Sequence, residues 1–457
     1  MKKDYAPTLS LAFLTGLNLF NYLDRQVLPA VLTPLQKDLH LSAGDAGWAN
    51  TAFMLGYFVT SPFFGYLGDR FPRKWLIALG IFVWSLGTTL TAFSTGFAML
   101  LAFRVLVGLG EASYATLSPA WLSDLFPPAK RNNALTIFYV AIPVGSALGF
   151  IAGGLVLAHA GTSALLIASK NFCAHFIGAM GAEQGDWRPA FLLAGAPGLL
   201  LALGLLFLRE PARGETETGG EPAANSHAAP TLSDVAALFR IPDFNLVLVG
   251  YTAYTFALAA FGFWAAKFLN QVHGVKYENA DHFFGLTLVV TGLVATMAGG
   301  FAATAWQRRF RAGYSTLLAA SVLLAIPVAT VAFVTSNTLL SQGCLAGAMF
   351  LLFLPTGPIN TLIVESVPVM LRASAMALSI FVIHLFGDLW SPLIVGKLSD
   401  AWTVAGHPEV GLQRAVLILP AVLIIAAAFW GYLAWRQTHT LKGEPAGKTL
   451  PPSPSSL

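Results

Sequence analysis

The chain has 457 residues, of which 56% are apolar and 11% are charged, and its mean hydropathy is +0.68. Soluble globular proteins carry about 25% Asp, Glu, Lys and Arg, because their outer surface faces water. The composition therefore excludes a compact water-soluble protein and an intrinsically disordered one. The two cysteines, Cys173 and Cys344, lie far apart, so neither a disulfide framework nor a cysteine metal site is implied.

Twelve stretches of the chain are long and apolar enough to cross a membrane as helices. The hydrocarbon layer is roughly 30 Å thick and a helix rises about 1.5 Å per residue, so a crossing helix needs about 20 mainly apolar residues. We therefore predict an all-α membrane protein with twelve transmembrane helices. The predicted spans are 8–35, 46–67, 74–94, 96–121, 132–157, 187–208, 243–269, 281–305, 313–335, 338–365, 373–398 and 411–435.

The basic residues are distributed unequally between the two sides of the predicted membrane. If the amino terminus is cytoplasmic, 17 of the 26 Lys and Arg lie on the cytoplasmic side, 7 lie on the opposite side, and 2 lie within spans. Because cytoplasmic loops carry an excess of Lys and Arg, we expect both termini in the cytoplasm of a multi-pass cell-membrane protein. This bias also explains the sequence pI of about 9.0 without a nucleic-acid partner.

The polar segment 209–230 has no apolar period and predicts a flexible cytoplasmic linker between two six-span halves. We expect bundles at 1–208 and 231–436, the second beginning with a short amphipathic helix at 231–240, and a disordered cytoplasmic tail at 437–457. The connection 158–186, on the opposite side, is apolar enough to hold an interfacial helix.

A weak internal repeat relates the two halves. Four residues recur with an offset of 241, and each set joins one predicted span to the next on the cytoplasmic side. A parallel duplication of six spans would produce this placement, and two equivalent bundles on a loose linker suit a transporter that rocks between states. The set Asp124, Pro127, Arg131 and Ala134 recurs as Glu365, Pro368, Arg372 and Ala375.

Three predicted spans contain ionisable residues that are costly to place in lipid. Asp24 and Arg25 are neighbours in the first span. Their side chains point about 100° apart on a helix, so we expect them to contact different partners. The fourth span holds two ionisable residues, Arg104 and Glu111, with two glycines between them that let another helix approach closely. The eleventh span holds His384 and Asp388 on one face. Lys267, near the end of the seventh span, is expected to reach the membrane interface.

Two interpretations of these charges remain open. One is that they are structural ion pairs that hold helices together. The other, which we favour, is that they line a wet central cavity, bind a polar or anionic head group, and gain or lose a proton as an arginine moves between conformations.

The loop between the second and third spans predicts a cytoplasmic gate. Its glycines permit a tight turn and its charges can clamp helix ends across the bundle interface. Asp69 is suited to meet the positive amino terminus of the eleventh span near Arg372. The predicted gate residues are Gly65, Gly68, Asp69, Arg70, Arg73 and Lys74 of this loop, together with Asp124, Arg131, Glu365 and Arg372 of the internal repeat.

Two further spans carry features that suit moving parts. Glycines at positions 145, 149 and 153 give the fifth span a smooth face for close packing, and Pro143 is expected to kink it. The run 355–358 should break the tenth span and leave backbone carbonyls facing a cavity.

These motifs together resemble the Major Facilitator Superfamily, and within it the Spinster family of sphingolipid and lysolipid transporters. The loop Gly65–Lys74 and the run Arg104–Glu111 are similar to signatures of the superfamily. The similarity to the Spinster family lies in Asn21–Arg25, Gly65–Phe71, Glu111–Tyr114, Ala141–Ser146 and His384–Pro392. Organic-anion:cation symporters of the same superfamily carry a string similar to Asn21–Arg25.

The resemblance implies two pseudo-symmetric six-helix bundles that work by alternating access, with substrate held between them. It implies proton sites at Asp24 and Glu111. It also implies head-group or gate roles for six residues: Arg25, Arg104, Tyr139, Asn360, His384 and Asp388. Spinster substrates carry one anionic or zwitterionic head and one acyl-like tail.

The sequence therefore predicts a proton-coupled secondary transporter of a lysolipid or a sphingoid phosphate, acting as a monomer in the bilayer. No nucleotide-binding loop, metal-ligand set or nucleophile triad is present, so we expect no cofactor, no metal and no enzymatic activity. The main rival is a proton-linked organic-anion or drug transporter of the same superfamily. A second rival is a non-transporting receptor or a lipid scramblase.

Overall fold

The computed structural model describes residues 6–178, 186–212, 237–309, 312–368, 371–405 and 407–439. These residues are almost entirely helical, and the one β-bridge among them joins Val404 to His407. The helices that form the spans are, in order, Ala6–Ala30, Ala43–Arg70, Arg73–Thr91, Phe97–Leu125, Pro128–His159, Arg188–Leu205, Pro242–His273, Tyr277–Arg309, Gly313–Val334, Thr338–Phe353 with Thr356–Glu365, Arg372–Ile383 with Ser391–Ala401, and Pro408–Val416 with Ile418–His439.

Ten of these twelve spans are apolar enough to be recognised by composition alone in the described part of the chain. The remaining two are the first and the second, which have 25 and 28 residues and are therefore long enough to cross. The first span carries Asp24 and Arg25, and ionisable residues of this kind lower the apolar character of a helix. The predicted twelve-span, all-α fold is confirmed.

The spans form two bundles of six. In the amino-terminal bundle the second span packs on the fourth, the first on the fifth, and the third on the fourth and the sixth. In the carboxy-terminal bundle the twelfth span packs on the seventh and the ninth, and the tenth packs on the ninth. The bundles meet where the fifth span contacts the eighth and the second contacts the eleventh. We call the side on which Ala6 and His439 lie the terminus side.

Glycines set how closely several of these helices approach. A Cβ at Gly145 or Gly149 would collide with backbone carbonyls of the first span, and one at Gly153 would collide with Ala30. The predicted packing face of the fifth span is therefore confirmed, and its partner is the first span. In the fourth span, Gly108 lies against the backbone of the second span at Phe53.

Two described helices do not cross the membrane, and both lie opposite the terminus side. Leu32–Leu39 follows the first span, which is therefore shorter than predicted. Ala164–Ile177 confirms the helix expected in the connection 158–186. Its Phe172 and Phe176 pack edge-on against Phe93 and remain more than half exposed. Burial raises the pKa of Cys173, in the same helix, to about 11.

Several predicted segments lie partly or wholly outside the described residues. Most of the linker 209–230 falls there, as do residues 231–236 of the amphipathic lead-in and residues 440–457 of the tail. Leu238–Arg240, at the end of the lead-in, form a single 3-10 turn. The bundle boundaries at 208, 231 and 436 stay predictions.

Replacing Gly149 by alanine should destabilise the amino-terminal bundle by about 1–3 kcal/mol, because the added Cβ forces the first and fifth spans apart at Leu23. The measurement is the melting temperature of purified protein in detergent. Gly16→Ala is the matched control, since no atom outside its own helix lies within 4 Å of a Cβ built there. Equal melting temperatures for the two variants would contradict the packing described here.

Candidate functional site

Asp24 and Arg25 point to different spans, as their adjacency on a helix predicts. The Thr88 hydroxyl of the third span donates to Asp24 Oδ2 over 2.6 Å. Arg25 Nε donates to Glu111 Oε2 of the fourth span, also over 2.6 Å. Both carboxyl groups are completely buried. Each has one oxygen, Asp24 Oδ1 or Glu111 Oε1, without a hydrogen-bond partner among the described residues.

Aromatic rings surround the Arg25 guanidinium on the sides that Glu111 leaves free. Its Cζ lies 4.8 Å from the ring centre of Tyr22, 5.3 Å from that of Phe53 and 5.2 Å from that of Tyr57. Cation–π contacts of this kind stabilise a cation that has lost part of its water. One fifth of the Arg25 side chain nevertheless remains exposed, so the guanidinium can meet a ligand.

Arg104 is the second guanidinium of the site, and it lacks a carboxylate partner among the described residues. Its Cζ lies 4.8 Å from the ring centre of Phe53, so this ring is shared between Arg104 and Arg25. Arg104 Nε is buried without a hydrogen-bond partner, and no described carboxylate lies within ion-pairing distance of the side chain. A buried cation without a counter-ion favours the binding of an anionic ligand.

A cavity of about 250 Å³ lies between the two bundles, and both arginines line it. The amino-terminal bundle contributes the polar residues Gln26, Asn50 and Ser146 to its wall. The carboxy-terminal bundle contributes Asp388, and most of the remaining wall is apolar or aromatic. The apolar and aromatic wall residues are Leu28, Pro29, Phe53, Met54, Phe150, Leu258, Ala259, Gly262, Phe263, Phe284, Leu288 and Pro392.

Asp388 reaches the cavity from an irregular stretch of the eleventh span. Residues His384–Asp388 form a π-helical turn, a feature that often occurs at functional sites. His384 Nδ1 lies 2.7 Å from Asp388 Oδ2, which confirms that the two side chains share a face. Asp388 Oδ1 is buried without a hydrogen-bond partner among the described residues.

The expectation that all the intramembrane charges line the cavity is wrong for three of them, Asp24, Glu111 and His384. Asp24 and Glu111 are sealed behind the wall, because Thr88 covers one carboxyl and Arg25 covers the other. Arg25, Arg104 and Asp388 do line it. His384 is not in the wall and contacts it through Asp388.

Two residues predicted from the resemblance alone do not line this cavity. Tyr139 is 46% exposed and packs edge-on against Phe138, with ring centres 5.2 Å apart. Asn360 is exposed, and its side-chain amide donates to the Thr356 carbonyl of its own helix.

The predicted gate residues on the terminus side form a cluster within the amino-terminal bundle. Arg73 pairs with Asp124 over 2.5 Å. Glu210 accepts hydrogen bonds from the backbone N–H groups of Arg73 and Lys74, over 2.7 and 3.2 Å. The Lys74 ammonium donates to two carbonyls at the end of the sixth span, those of Leu206 and Leu208.

The remaining gate predictions have mixed outcomes. Gly65 and Gly68 are helical and face the fourth span, so the tight turn expected there is wrong; the second span continues to Arg70. Arg70 stacks on Tyr66 of its own helix, and Glu365 is exposed. The side chains of the other three gate residues, Asp69, Arg131 and Arg372, lie outside the described part of the structure, and their gate roles stay predictions.

The break in the tenth span is confirmed, but its carbonyls do not face the cavity. The Tyr254 hydroxyl donates to the Leu352 carbonyl over 2.5 Å, and the Thr356 hydroxyl donates to the Phe353 carbonyl over 2.8 Å. The Leu354 carbonyl lies directly against Gly299 of the eighth span. Packing inside the bundle thus satisfies the groups that the prolines release.

Local sequence patterns do not indicate the contacts that close the bundles opposite the terminus side. Asp400, at the end of the eleventh span, accepts from the backbone N–H groups of Ala43 and Gly44 over 2.8 and 2.7 Å. Those N–H groups begin the second span and have no partner within the helix. Nearby, Lys267 of the seventh span is buried and donates to Gln36, so the expectation that it reaches the interface is wrong.

The described residues include no group of three or more His, Cys, Asp or Glu side chains that could hold a metal ion.

Comparisons with known proteins agree with this fold. A model of the Major Facilitator Superfamily matches residues 14–392. The chain is 32% identical to Protein spinster of Drosophila melanogaster over 395 residues, which cover 84% of this chain and 60% of that protein. It is 31% identical to Protein spinster homolog 3 of Danio rerio, over 92% of this chain and 84% of that protein.

Two further comparisons are with a protein and a structure whose names mention transport. The Danio rerio protein named Sphingosine-1-phosphate transporter SPNS2 is 29% identical over 93% of this chain and 83% of its own length. The crystal structure of a bacterial homolog to the human lysosomal transporter Spinster, in an inward-facing and unoccupied conformation, superposes with a TM-score of 0.84. It is 25% identical and covers 98% of this chain and 100% of its own.

Removing the Glu111 carboxylate should destabilise the protein strongly, because it leaves the partly buried Arg25 guanidinium without its counter-ion. We expect Glu111→Ala to lower the free energy of unfolding by about 3–5 kcal/mol, measured as a loss of melting temperature in detergent. The control is Glu409→Ala, which breaks an exposed contact with His407 and should leave the melting temperature nearly unchanged. A Glu111→Ala protein as stable as this control would show that the pair contributes nothing.

Proposed function

Because the chain belongs to the Spinster family of the Major Facilitator Superfamily, we propose that this membrane transporter moves an amphipathic anion, a lysolipid or a sphingoid phosphate, by alternating access. The observation that carries the proposal is the pairing of two guanidinium groups with an apolar, aromatic cavity wall between the bundles. Guanidinium groups bind phosphate oxygens in a planar, bidentate manner, and the apolar wall suits an acyl-like tail.

The size of the cavity supports separate binding places for the head group and the tail of the substrate. Sites that enclose a drug-sized ligand measure about 300–1,000 Å³, and this cavity of about 250 Å³ is smaller. In our proposal the head group occupies the cavity beside Arg104 and Arg25. The tail then extends towards the terminus side, where Phe58 and Phe381 of opposite bundles pack with ring centres 4.8 Å apart.

The proposed substrate side and membrane follow from charge and contacts. The excess of Lys and Arg favours the cytoplasm for the terminus side, in the cell membrane. The Asp400 and Lys267 contacts close the opposite side, so the cavity would communicate with the cytoplasm in this state. We further propose that a monomer is the transporting unit, since each chain contains both bundles.

Proton coupling in this proposal works through Arg25. The guanidinium pairs with Glu111 and also lines the cavity, so an anionic head group competes with Glu111 for it. A buried carboxylate that loses its counter-ion is strongly destabilised and takes up a proton. Asp24 would be the second proton site, because it is buried with one oxygen unpartnered among the described residues.

The rival function, transport of a short organic anion or a drug, also fits one feature of the site. Two arginines recognise carboxylates as well as phosphates, and a cavity of about 250 Å³ encloses a small anion without a tail. Uptake of short carboxylates without any response to lysolipids would favour this rival. Equilibration of ordinary two-chain lipids by reconstituted protein would instead indicate a scramblase.

Replacing Arg104 should remove substrate binding with little loss of stability, because it has no ion pair with any residue that the structure describes. We expect Arg104→Ala to reduce lysophospholipid or sphingosine-1-phosphate flux into proteoliposomes by about tenfold or more. Arg104→Lys should retain part of the flux, and Lys37→Ala, which removes an exposed charge far from the cavity, should retain all of it. Unchanged flux in Arg104→Ala would refute the head-group assignment.

Neutralising Asp24 should uncouple transport from the proton gradient. With an imposed pH gradient, the wild-type protein should accumulate substrate, whereas Asp24→Asn should only equilibrate it, because the amide cannot carry the proton. The matched control is Asp45→Asn, whose side chain lies at the exposed start of the second span. If flux does not depend on the gradient in either wild type or Asp24→Asn, proton coupling through this residue is wrong.

A further inference from the structure

A third buried carboxyl, Asp281, lies away from the cavity on the side opposite the termini. It sits in the first turns of the eighth span, is 2% exposed, and its Oδ2 has no hydrogen-bond partner among the described residues. Neither of its oxygens forms a hydrogen bond or an ion pair that joins it to another described residue. Ionised carboxylates are almost never left in this condition, because burial without a partner costs several kcal/mol.

Asp281 lies at the seam between the two bundles. A Cβ built on Gly154 of the fifth span would lie 3.0 Å from the Asp281 Cβ, so the spans touch here. The carboxyl also borders a space of about 10 Å³ that the first and seventh spans share, with room for no more than one water molecule. This space is lined by Pro29, Ala30, Thr33, Ala266, Lys267, Asn270, Tyr277, Ala280 and Asp281.

The charged and titratable groups around Asp281 are few. The seventh span contributes Lys267, which donates a hydrogen bond to Gln36. Its Nζ also lies 5.3 Å from the centre of the Trp264 ring. The eighth span contributes Tyr277 and Glu278 in the preceding turn. The contacting residues of the first and fifth spans are apolar residues and glycine, and the helix Leu32–Leu39 contributes Thr33. Lys267 thus borders the same small space, but no ion pair joins it or any other described cation to Asp281 in the closed seam.

We propose that Asp281 is a proton-binding site of the gate opposite the terminus side, and that its protonation permits this gate to close. The proposal rests on the alternating-access function proposed above, and it adds a site separate from Asp24 and Glu111. When the seam opens, the fifth and eighth spans part and the carboxyl meets water, where it ionises. When the seam closes, a proton from solution on that side binds a carboxylate oxygen of Asp281 and the neutral acid is buried.

The direction of the pH effect follows from this cycle. The closed seam requires the protonated form, so the closed population is large at low pH and falls as the pH on that side rises. The Asp400 contacts with Ala43 and Gly44 close the same side without requiring a proton, since the helix N–H groups stabilise an ionised carboxylate. Low pH therefore acts on the gate through Asp281.

The test is a distance between nitroxide labels on the two bundles, measured by pulsed electron resonance in nanodiscs. Labels at Gly161→Cys and Ser336→Cys lie in exposed loops of opposite bundles on this side, in a chain whose Cys173 and Cys344 are replaced by serine. Between about pH 5 and about pH 8, wild type should shift from a short to a long distance. Asp281→Asn should keep the short distance throughout, and Asp281→Glu should keep the pH response.

Glu278→Gln is the matched control, because it removes a carboxyl one turn away that does not border the small space. It should retain the pH response. An Asp281→Asn chain that responds to pH as wild type does, or a wild type that does not respond, overturns the proposal. The measurement needs no substrate, so a failure of the lysolipid assignment in the flux assay would be distinguishable from a failure here.

Discussion

The ion pair between Arg25 and Glu111 is the interaction on which the arrangement of the central cavity depends. It joins the first and fourth spans through side chains that would each be unstable alone in this apolar setting. Because Glu111 occupies one edge of the guanidinium, the remaining faces are left to the rings of the second span. Three helices are thus held around one cation, and its exposed part points into the space between the bundles.

Small residues make this arrangement possible. Gly108 lets the fourth span approach the second span at Phe53, whose ring contacts both Arg25 and Arg104. The glycine face of the fifth span brings the first span equally close, at Leu19 and Leu23. The backbone contacts therefore position the rings and the charges together, and a larger side chain at Gly108 would disturb the cavity without touching a charged group.

The sequence allowed accurate prediction of features that depend on local pattern. The spans follow from runs of apolar residues, and the divergence of Asp24 and Arg25 follows from the 100° step of a helix. The pairing of His384 with Asp388 follows from their spacing, although the π-helical turn around them carries no clear signal in the residue pattern. The charged residues inside spans identified the site. Placing a charge in lipid costs free energy, so such residues indicate either a functional cavity or a specific ion pair.

Features that depend on contacts between distant spans could not be predicted in the same way. Asp400 meets Gly44 across 356 residues of chain, and neither residue is unusual in its own segment. Asp281 was placed at the edge of a predicted span that in fact begins at Tyr277, so its burial was not foreseen. Local patterns reveal how apolar a residue's own helix is, but they do not reveal which surface of another bundle covers it.

The two carboxylates of the gate opposite the terminus side show why such contacts matter for a moving protein. Asp400 caps the second span, so its charge is compensated by the N–H groups of a helix in the other bundle. Asp281 is packed against the seam, and its Oδ2 has no hydrogen-bond partner in the part of the chain that the structure describes. Closure of this side is thus stabilised by the ionised Asp400 at the rim, and it requires a neutral Asp281 deeper in the seam. A gate built from both can be strong when closed and still open when the deeper group loses its proton.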